Sequence, residues 1–328
     1  YFCDADLRSI ADDFISFEEV EELGSKINEM LARHEVDYVV TTSGAELLEV
    51  PKRLGTPAGS AEIFMDKKST QDFFEKIGVL CPKKLDSPKY PCMVKTLSGA
   101  GGWRNTVVNS DAELKAWEEF VEHVPYMMQE FVVGLPASVC CLGTGTDAFA
   151  LTSNEQILRG GETCAYAFSG SVTPCSHPLA EKMKSVAEKI VKESGCVGTV
   201  GVDFVLTDDC VYAIEVNPRF QGTVETVEKS LGINLFRLHL DACFGKLPEK
   251  NFVPQKFAVR KILTAPCDMF IEDDLSCLSD FITDIPLPHT FFEEGEVMFS
   301  VTGFGSSRAE AMTSLDKNIR LALQHIKE

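Results

Sequence analysis

GTVGVDFVLTDDCVYAIEVNPRFQGT, residues 198–223, is the stretch on which the fold turns: it sets Asp203 twelve residues before Glu215 and follows with Asn217 and Arg219. Two apolar runs flank the polar turn Thr207-Asp208-Asp209, the pattern of a β-hairpin. Paired as hairpin strands, Asp203 and Glu215 come side by side, and two adjacent carboxylates repel unless a cation lies between them. Period-two alternation puts Glu215, Asn217 and Arg219 on one face. That face offers hard oxygen ligands of the kind Mg²⁺ takes, and a guanidinium suited to a phosphate oxygen. The spacing predicts a metal–nucleotide site; the plainer alternative is a hairpin with a wet polar face.

Upstream, YPCMVKTLSGAGGWRNTVV (residues 90–108) ends an apolar strand at Lys95 and follows it with a glycine-rich turn from Ser98 to Gly102. Glycines let backbone N–H groups approach phosphate oxygens closely. The turn lacks the GxxxxGK[ST] order and opens no helix, so neither a P-loop nor a dinucleotide fingerprint applies. A mobile strand–turn–strand flap is the alternative.

The surrounding pattern is αβ at first and β-rich later. Ser16 to Glu19 reads as a capping box before a helix through Val20, Leu23, Ile27, Met30 and Leu31, and a strand is expected over 36–40, together half of a parallel-sheet unit. A helix from Asp66 to Gly78, strands over 90–96 and 126–133 and a helix capped by Ser110 form a small α+β lobe. Residues 136–176 read as strands, Pro178 opens a helix stopped by Gly195, and a single helix is expected over 227–242. Strands at 257–263 and 296–302 and a final helix through Met312, Leu315, Ile319 and Ile326 complete the chain. The expected division is 1–60, 61–248 with a flap lobe at about 85–133, and 249–328. Because Tyr1 opens the chain without Met or a preceding strand, a missing first strand is expected.

Composition narrows the function classes. With 328 residues, 45% apolar and 25% charged, the chain is an ordinary globular one. Its formal charge of −19 and dispersed Lys and Arg argue against a nucleic-acid face. No apolar run reaches the ~20 residues of a bilayer helix. Twelve cysteines stand scattered in apolar segments with no CxxC pair, so reduced buried thiols and a cytoplasmic location are expected rather than disulfides or zinc.

The order of the pieces, DKKST, VKTLSGAGG, MMQEFVVG, DFVL and IEVNPR, resembles the ATP-grasp superfamily from about Met65 to Leu247, with closest character to biotin carboxylase and glycinamide ribonucleotide synthetase. The tail VMFSVTGFGSSRAEAM is similar to the C-terminal segment of the carboxylase-like branch. The resemblance implies an ATP-grasp fold, α/β and α+β, with a truncated parallel-sheet N-terminal domain and a small C-terminal α+β unit. It implies ATP and Mg²⁺ as cofactors, with Mn²⁺ a second possible ion. Lys67 and Lys95 then contact phosphates under a flap containing Ser98, Gly99, Gly101 and Gly102, and Glu130, Phe131 and Val133 meet adenine. Asp203, Glu215 and Asn217 hold the metal, and Arg219 meets the terminal phosphate and the reacting acyl phosphate.

Two departures qualify it. Gly134 is followed by Leu135, Pro136 and Ala137 where many members carry an acidic residue for the ribose. Thr223 stands where biotin carboxylase has a glutamate, so a base for bicarbonate is not evident. Glu155, Gln156 and Arg159 are suggestive as γ-phosphate or acyl neighbours, Trp103 and Arg104 as flap-tip residues, and His177 as the neighbour of a helix cap. The activity expected is a carboxylate–amine ligase on small-molecule acid and amine substrates, with a homodimer a possible assembly. A bicarbonate-using carboligase and a non-catalytic ATP sensor are the alternatives.

Overall fold

A computed structural model describes residues 4–99, 101–102, 104–161 and 164–326; Tyr1, Ala100 and Trp103 lie outside the described residues. The N-terminal segment holds α1 (Ala5–Ile10), a 3₁₀ turn at Val20–Glu22 and α2 (Leu23–Arg33). The expected capping box is too early: Glu19 precedes the 3₁₀ turn and no side chain caps it. The strand expected over 36–40 reduces to one parallel bridge, Val39 to Arg53, with Leu54 N–H donating to the Val39 carbonyl at 2.8 Å. Pro51 and the left-handed Lys52, at φ 54, break the partner segment before a ladder can extend. The Arg53 guanidinium binds the carbonyls of Ala45, Glu46 and Thr56, which fixes the loop that carries Glu46.

Next come α3 (Ala58–Met65) and α4 (Lys67–Lys76), the latter capped where Asp66 Oδ1 accepts from Ser69 N–H at 2.7 Å. A small lobe follows: β1 (Lys84–Leu85), β2 (Cys92–Thr96), β3 (Thr106–Val108), α5 (Asp111–Phe120) and β4 (Tyr126–Glu130), with strands in the order β1-β4-β2-β3. Ser110 caps α5 as expected, and Val94, Val108, Leu114 and Trp117 form the lobe's own core. Both expected strands are shorter than their apolar runs. Pro91 has no N–H for the ladder, and residues 131–133 leave the sheet to cross to the larger one.

That larger sheet is built from β5 (Leu135–Thr144), β6 (Ala148–Leu158), β7 (Phe168–Thr173), β8 (Val197–Leu206), β9 (Val211–Asn217), β10 (Phe257–Thr264), β12 (Ile282–Thr283) and β14 (Val297–Gly305). Its order is β12-β14-β10-β7-β6-β5-β8-β9, antiparallel throughout. Pairing of β10 with β7 carries the sheet continuously from the central residues into the C-terminal ones. A separate pair, β11 (Met269–Ile271) and β13 (Thr290–Phe292), lies in the stretch that the sequence leaves unassigned.

Helix α6 (Ala180–Ser194) covers one face of the large sheet, packing Met183 and Ile190 on Val139, Cys141 and Val202. Alternate residues of β5, Cys140 and Leu142, face the opposite side and pack on Val227, Leu231 and Leu235. Those belong to α7 (Val224–Leu231) and α8 (Leu235–Cys243), two helices where one was expected. Gly232 at φ +66 ends the first, and Asn234 caps the second by accepting from Arg237 N–H at 2.7 Å. Helix α9 (Arg308–Leu323) closes the C-terminal core over Val259, Phe299 and Val301.

Candidate functional site

Strands β8 and β9 place Asp203 directly opposite Glu215, and a bulge after Asp203 brings both Ile214 and Glu215 to one cavity. Asp203 accepts from Gln156 Nε2 at 2.9 Å and from Asn217 Nδ2 at 3.2 Å. The other end of the Asn217 amide accepts from Arg219 Nη2 at 3.1 Å. Burial pushes the Asp203 carboxyl up to about 7; Glu215 adds to the rise, while Arg219, Asn217 and Gln156 oppose it. A carboxylate pair this costly to ionise together fits a divalent cation, for which Asp203, Glu215 and Asn217 would supply hard oxygen donors. Among the described residues no group of three His, Cys, Asp or Glu converges, so water and the phosphate oxygens of a ligand would complete the shell of such a cation.

The cavity measures ≈ 420 Å³ and lies between the small lobe and the large sheet. Lys95, Gly101, Gly102, Glu130, Phe131, Val133, Asp203, Glu215, Asn217 and Arg219 all line it. Lys95 is only 7% exposed. Burial lowers its ammonium to about 8, against the pull of Glu215 and with some help from Lys67.

Lys67, Ser98 and Gly99 do not line the cavity. Lys67 Nζ stands 4.0 Å from Glu215 Oε1 and donates to the Gly99 carbonyl at 2.7 Å, tying the helix start to the flap. The flap is also held from across the cavity, where Phe168 N–H donates to the Gly101 carbonyl at 3.0 Å. Gly102, at φ +72, has no room for a side chain: a Cβ there would lie 2.4 Å from the Tyr166 carbonyl oxygen.

Of the suggestive residues that are described, only Gln156 lines the cavity. Glu155, one position earlier on β6, points to the other face, where it accepts from Arg308 Nε at 2.9 Å. Arg159 donates to the Gly295 carbonyl at 3.3 Å. His177 Nδ1 accepts from Leu179 N–H at 3.2 Å beside the start of α6. Arg104 turns its carbonyl to Trp117 Nε1 at 2.9 Å.

Glu46 and Gln129 are among the residues that escaped the sequence reading. Glu46 accepts from Arg219 Nε at 2.9 Å, from a loop whose composition carries no site signal. Gln129 lines the cavity with its Oε1 buried and, among the described residues, without a hydrogen-bond partner. The period-two pattern of β4, which turns Gln129 the same way as Met127, would have shown it to be inward-facing, but not to be orphaned.

Among the described residues no helix is long and apolar enough to cross a membrane, and the eleven described cysteines are all free. Residues 64–223 match the ATP-grasp domain model. An uncharacterised protein of Methanocaldococcus jannaschii is 29% identical over 214 residues, covering 64% of this chain and 50% of that one; the chain thus spans half the length of this curated relative. The biotin carboxylase domain of Hydrogenobacter thermophilus 2-oxoglutarate carboxylase, solved as a dimer with MgADP, ADP and bicarbonate, aligns at TM-score 0.77 and 13% identity over 99% of this chain and 82% of its own. Phosphoribosylamine–glycine ligase of Thermotoga maritima aligns at TM-score 0.73 and 18% identity, over 99% and 89%. The matched span holds Lys67, Lys95, the flap and the Asp203–Glu215 hairpin, and both solved neighbours share the whole architecture: residues 64–223 are an ATP-grasp domain, and the chain has the ATP-grasp fold seen in biotin carboxylases and carboxylate–amine ligases.

Proposed function

We propose that this protein is an ATP- and Mg²⁺-dependent ligase that joins a small-molecule carboxylate to an amine. The observation that carries the reading is the convergence in one cavity of a buried Lys95, the Asp203–Glu215–Asn217 oxygen set and Arg219, beneath a glycine flap. Its two solved neighbours, a ligase and a carboxylase domain, lend support at the level of fold.

In this reading Lys95 binds the phosphate tail and Lys67 joins it by exchanging its flap carbonyl for a phosphate oxygen. Asp203, Glu215 and Asn217 hold Mg²⁺, which when bound neutralises the charge of the phosphates. A substrate carboxylate oxygen attacks the γ-phosphorus, the bond to the β–γ bridging oxygen breaks, and ADP leaves. Arg219 stabilises the charge on the acyl phosphate through its planar fork. The amine nitrogen then attacks the acyl carbon, inorganic phosphate departs with the bonding pair, and the nitrogen loses its proton to solvent. The proposed division into units at 1–60, 61–248 and 249–328 belongs to the same reading, with the acceptor region between them.

The test is an ADP-release screen over paired acids and amines, with bicarbonate as a separate arm. ADP and phosphate formed only when acid and amine are both present would support the ligase. Dependence on bicarbonate with incorporation of its carbon would favour a carboligase instead. Tight MgATP binding with no stimulated ADP release would point to a sensor.

A further inference from the structure

The cavity carries two apolar walls, on opposite sides of its carboxylate pair. Met93, Phe131 and Ile214 form one, by the small lobe and the edge strand β9. Leu158 of β6 and Phe168 of β7 form the other with Tyr166, and in the sheet order β7-β6-β5-β8-β9 Asp203 on β8 stands between the two. At about 4.8 Å per strand, β6 and β7 lie roughly 10–14 Å from the strand of Asp203. A nucleotide has one large flat apolar group, its base, so the second wall suits another molecule. We propose that Leu158, Tyr166 and Phe168 bind the body of the acid substrate, that this body is apolar and uncharged, and that its carboxylate reaches Arg219. The proposal rests on the ligase reading above.

The second wall serves no core of the protein. Alternation along β6 sends Ile157 to the C-terminal core, while Gln156 and Leu158 line the cavity. Leu158 is paired with Phe168 in the β6–β7 ladder. Leu158, Tyr166 and Phe168 are half-buried, yet among the described residues they pack into none of the four apolar cores. Phe168 N–H donates to the Gly101 carbonyl at 3.0 Å, which brings the flap over the wall. The Phe168 ring lies against Gly222, where a Cβ would come within 2.7 Å of its Cε1. Gly222 follows Arg219 by three residues, at most about 11 Å of chain, so a short acid can touch both the guanidinium and the wall.

Charges near this end are already engaged. Among the described residues lining the cavity the cations are Lys95 and Arg219, both given to phosphate chemistry in the ligase reading. Arg159 donates to the Gly295 carbonyl at 3.3 Å. Arg260, behind Gly222, donates to the Gly222 carbonyl at 3.2 Å and faces the carboxylates of Asp284 and Glu225. A second carboxylate or an ammonium on the substrate body would give up water against Leu158 and Phe168 and gain no partner. An alkyl or aryl chain gains by burial there.

The test is calorimetric titration of isocaproate, hydrocinnamate, acetate and glutarate into the protein saturated with the magnesium complex of AMP-PNP, a non-hydrolysable ATP analogue. Wild type, Phe168→Ala and Leu158→Lys are compared, with circular dichroism and thermal unfolding as folding checks. The wild type should bind the two apolar acids at least about tenfold more tightly than acetate or glutarate, the effect of burying a few methylene groups. Phe168→Ala should bring that preference to within about threefold. Leu158→Lys should place glutarate above isocaproate, a reversal that simple loosening of the fold would not give. Equal binding of the four acids, or none, by wild type that holds the nucleotide overturns the role of the wall while leaving the ATP site intact. An unchanged order in the folded Leu158→Lys protein does the same. Failure of the folded wild type to bind the nucleotide overturns the site reading itself, and this proposal with it.

Discussion

Arg219 Nε donates to Glu46 Oε1 at 2.9 Å, in a pair whose side chains are 14% and 10% exposed and whose positions lie 173 residues apart. Glu46 is itself oriented by Gly44 N–H, which donates to its Oε2 at 2.7 Å. The contact joins the N-terminal loop to the β8–β9 hairpin. Removing one member leaves a largely buried charge uncompensated, so Glu46→Gln should lower the unfolding free energy by about 1–3 kcal/mol in urea denaturation. A cycle with Arg219→Gln should show coupling of about 0.5–3 kcal/mol. Strictly additive effects would mean that the pair contributes nothing in solution.

Arg219 has a second expected signature, in turnover. Arg219→Lys should bind MgATP within about threefold of wild type and release ADP at least tenfold more slowly with a working acid–amine pair, since an ammonium cannot fork across the acyl phosphate. Unaltered turnover would remove the assigned role.

Lys95→Ala should weaken MgATP binding about ten- to hundredfold, the loss of a charge-assisted contact worth ~1.5–3 kcal/mol. Calorimetry measures it directly. A change below threefold would show that the buried ammonium does not meet the phosphates.

The metal pair can be tested without turnover. Wild-type ATP affinity should rise at least tenfold on adding Mg²⁺, roughly the worth of one or two charge-assisted contacts. The double substitution Asp203→Asn, Glu215→Gln should lose most of that gain. If the variant keeps the full Mg²⁺ effect, the ion is bound elsewhere.

A pH dependence is expected where α1 meets the turn after β12. Asp6 accepts from the N–H groups of Asp284 and Ile285, each at 3.2 Å, and the Ala5 N–H donates to the Ile285 carbonyl at 2.7 Å. Beside this junction, burial raises the Asp4 carboxyl to about 6, with Asp284 and Asp6 adding to the rise. The folded state therefore holds the Asp4 proton more tightly than the unfolded chain does. The associated stability is fully present below the ordinary value of 3.8 and is lost as pH rises through about 6. Asp4→Asn should stabilise the protein at pH 8 relative to wild type and have little effect near pH 3.5. Equal effects at both pH values would exclude the titration as the cause.

The hairpin at residues 198–223 was legible because its signals are local: alternation sets the face and turn chemistry sets the pairing, which together bring Asp203 opposite Glu215. The same holds for the cap at Ser110, where a side chain bonds a backbone group three residues on. Propensity misled where backbone geometry intervened, as at Gly232, which divides one amphipathic pattern into two helices, and at 36–40, where an apolar run found only a single bridge.

Resemblance carried the reading to the fold, and the sequence by itself determined which residue types could bind phosphate and metal. Only the tertiary structure decided that Glu46 holds Arg219, that Lys67 grips the flap, that Glu155 turns away from the cavity while Gln156 enters it, and that Gln129 Oε1 meets no donor among the described residues. Each of these depends on a contact between side chain or backbone groups far apart in the chain, or on the lack of one. A glutamine on a strand or a glutamate in a loop carries no local pattern that names its partner. The partner is chosen by packing, which closes some hydrogen bonds and, among the described residues, leaves a few buried acceptors such as Gln129 Oε1 open.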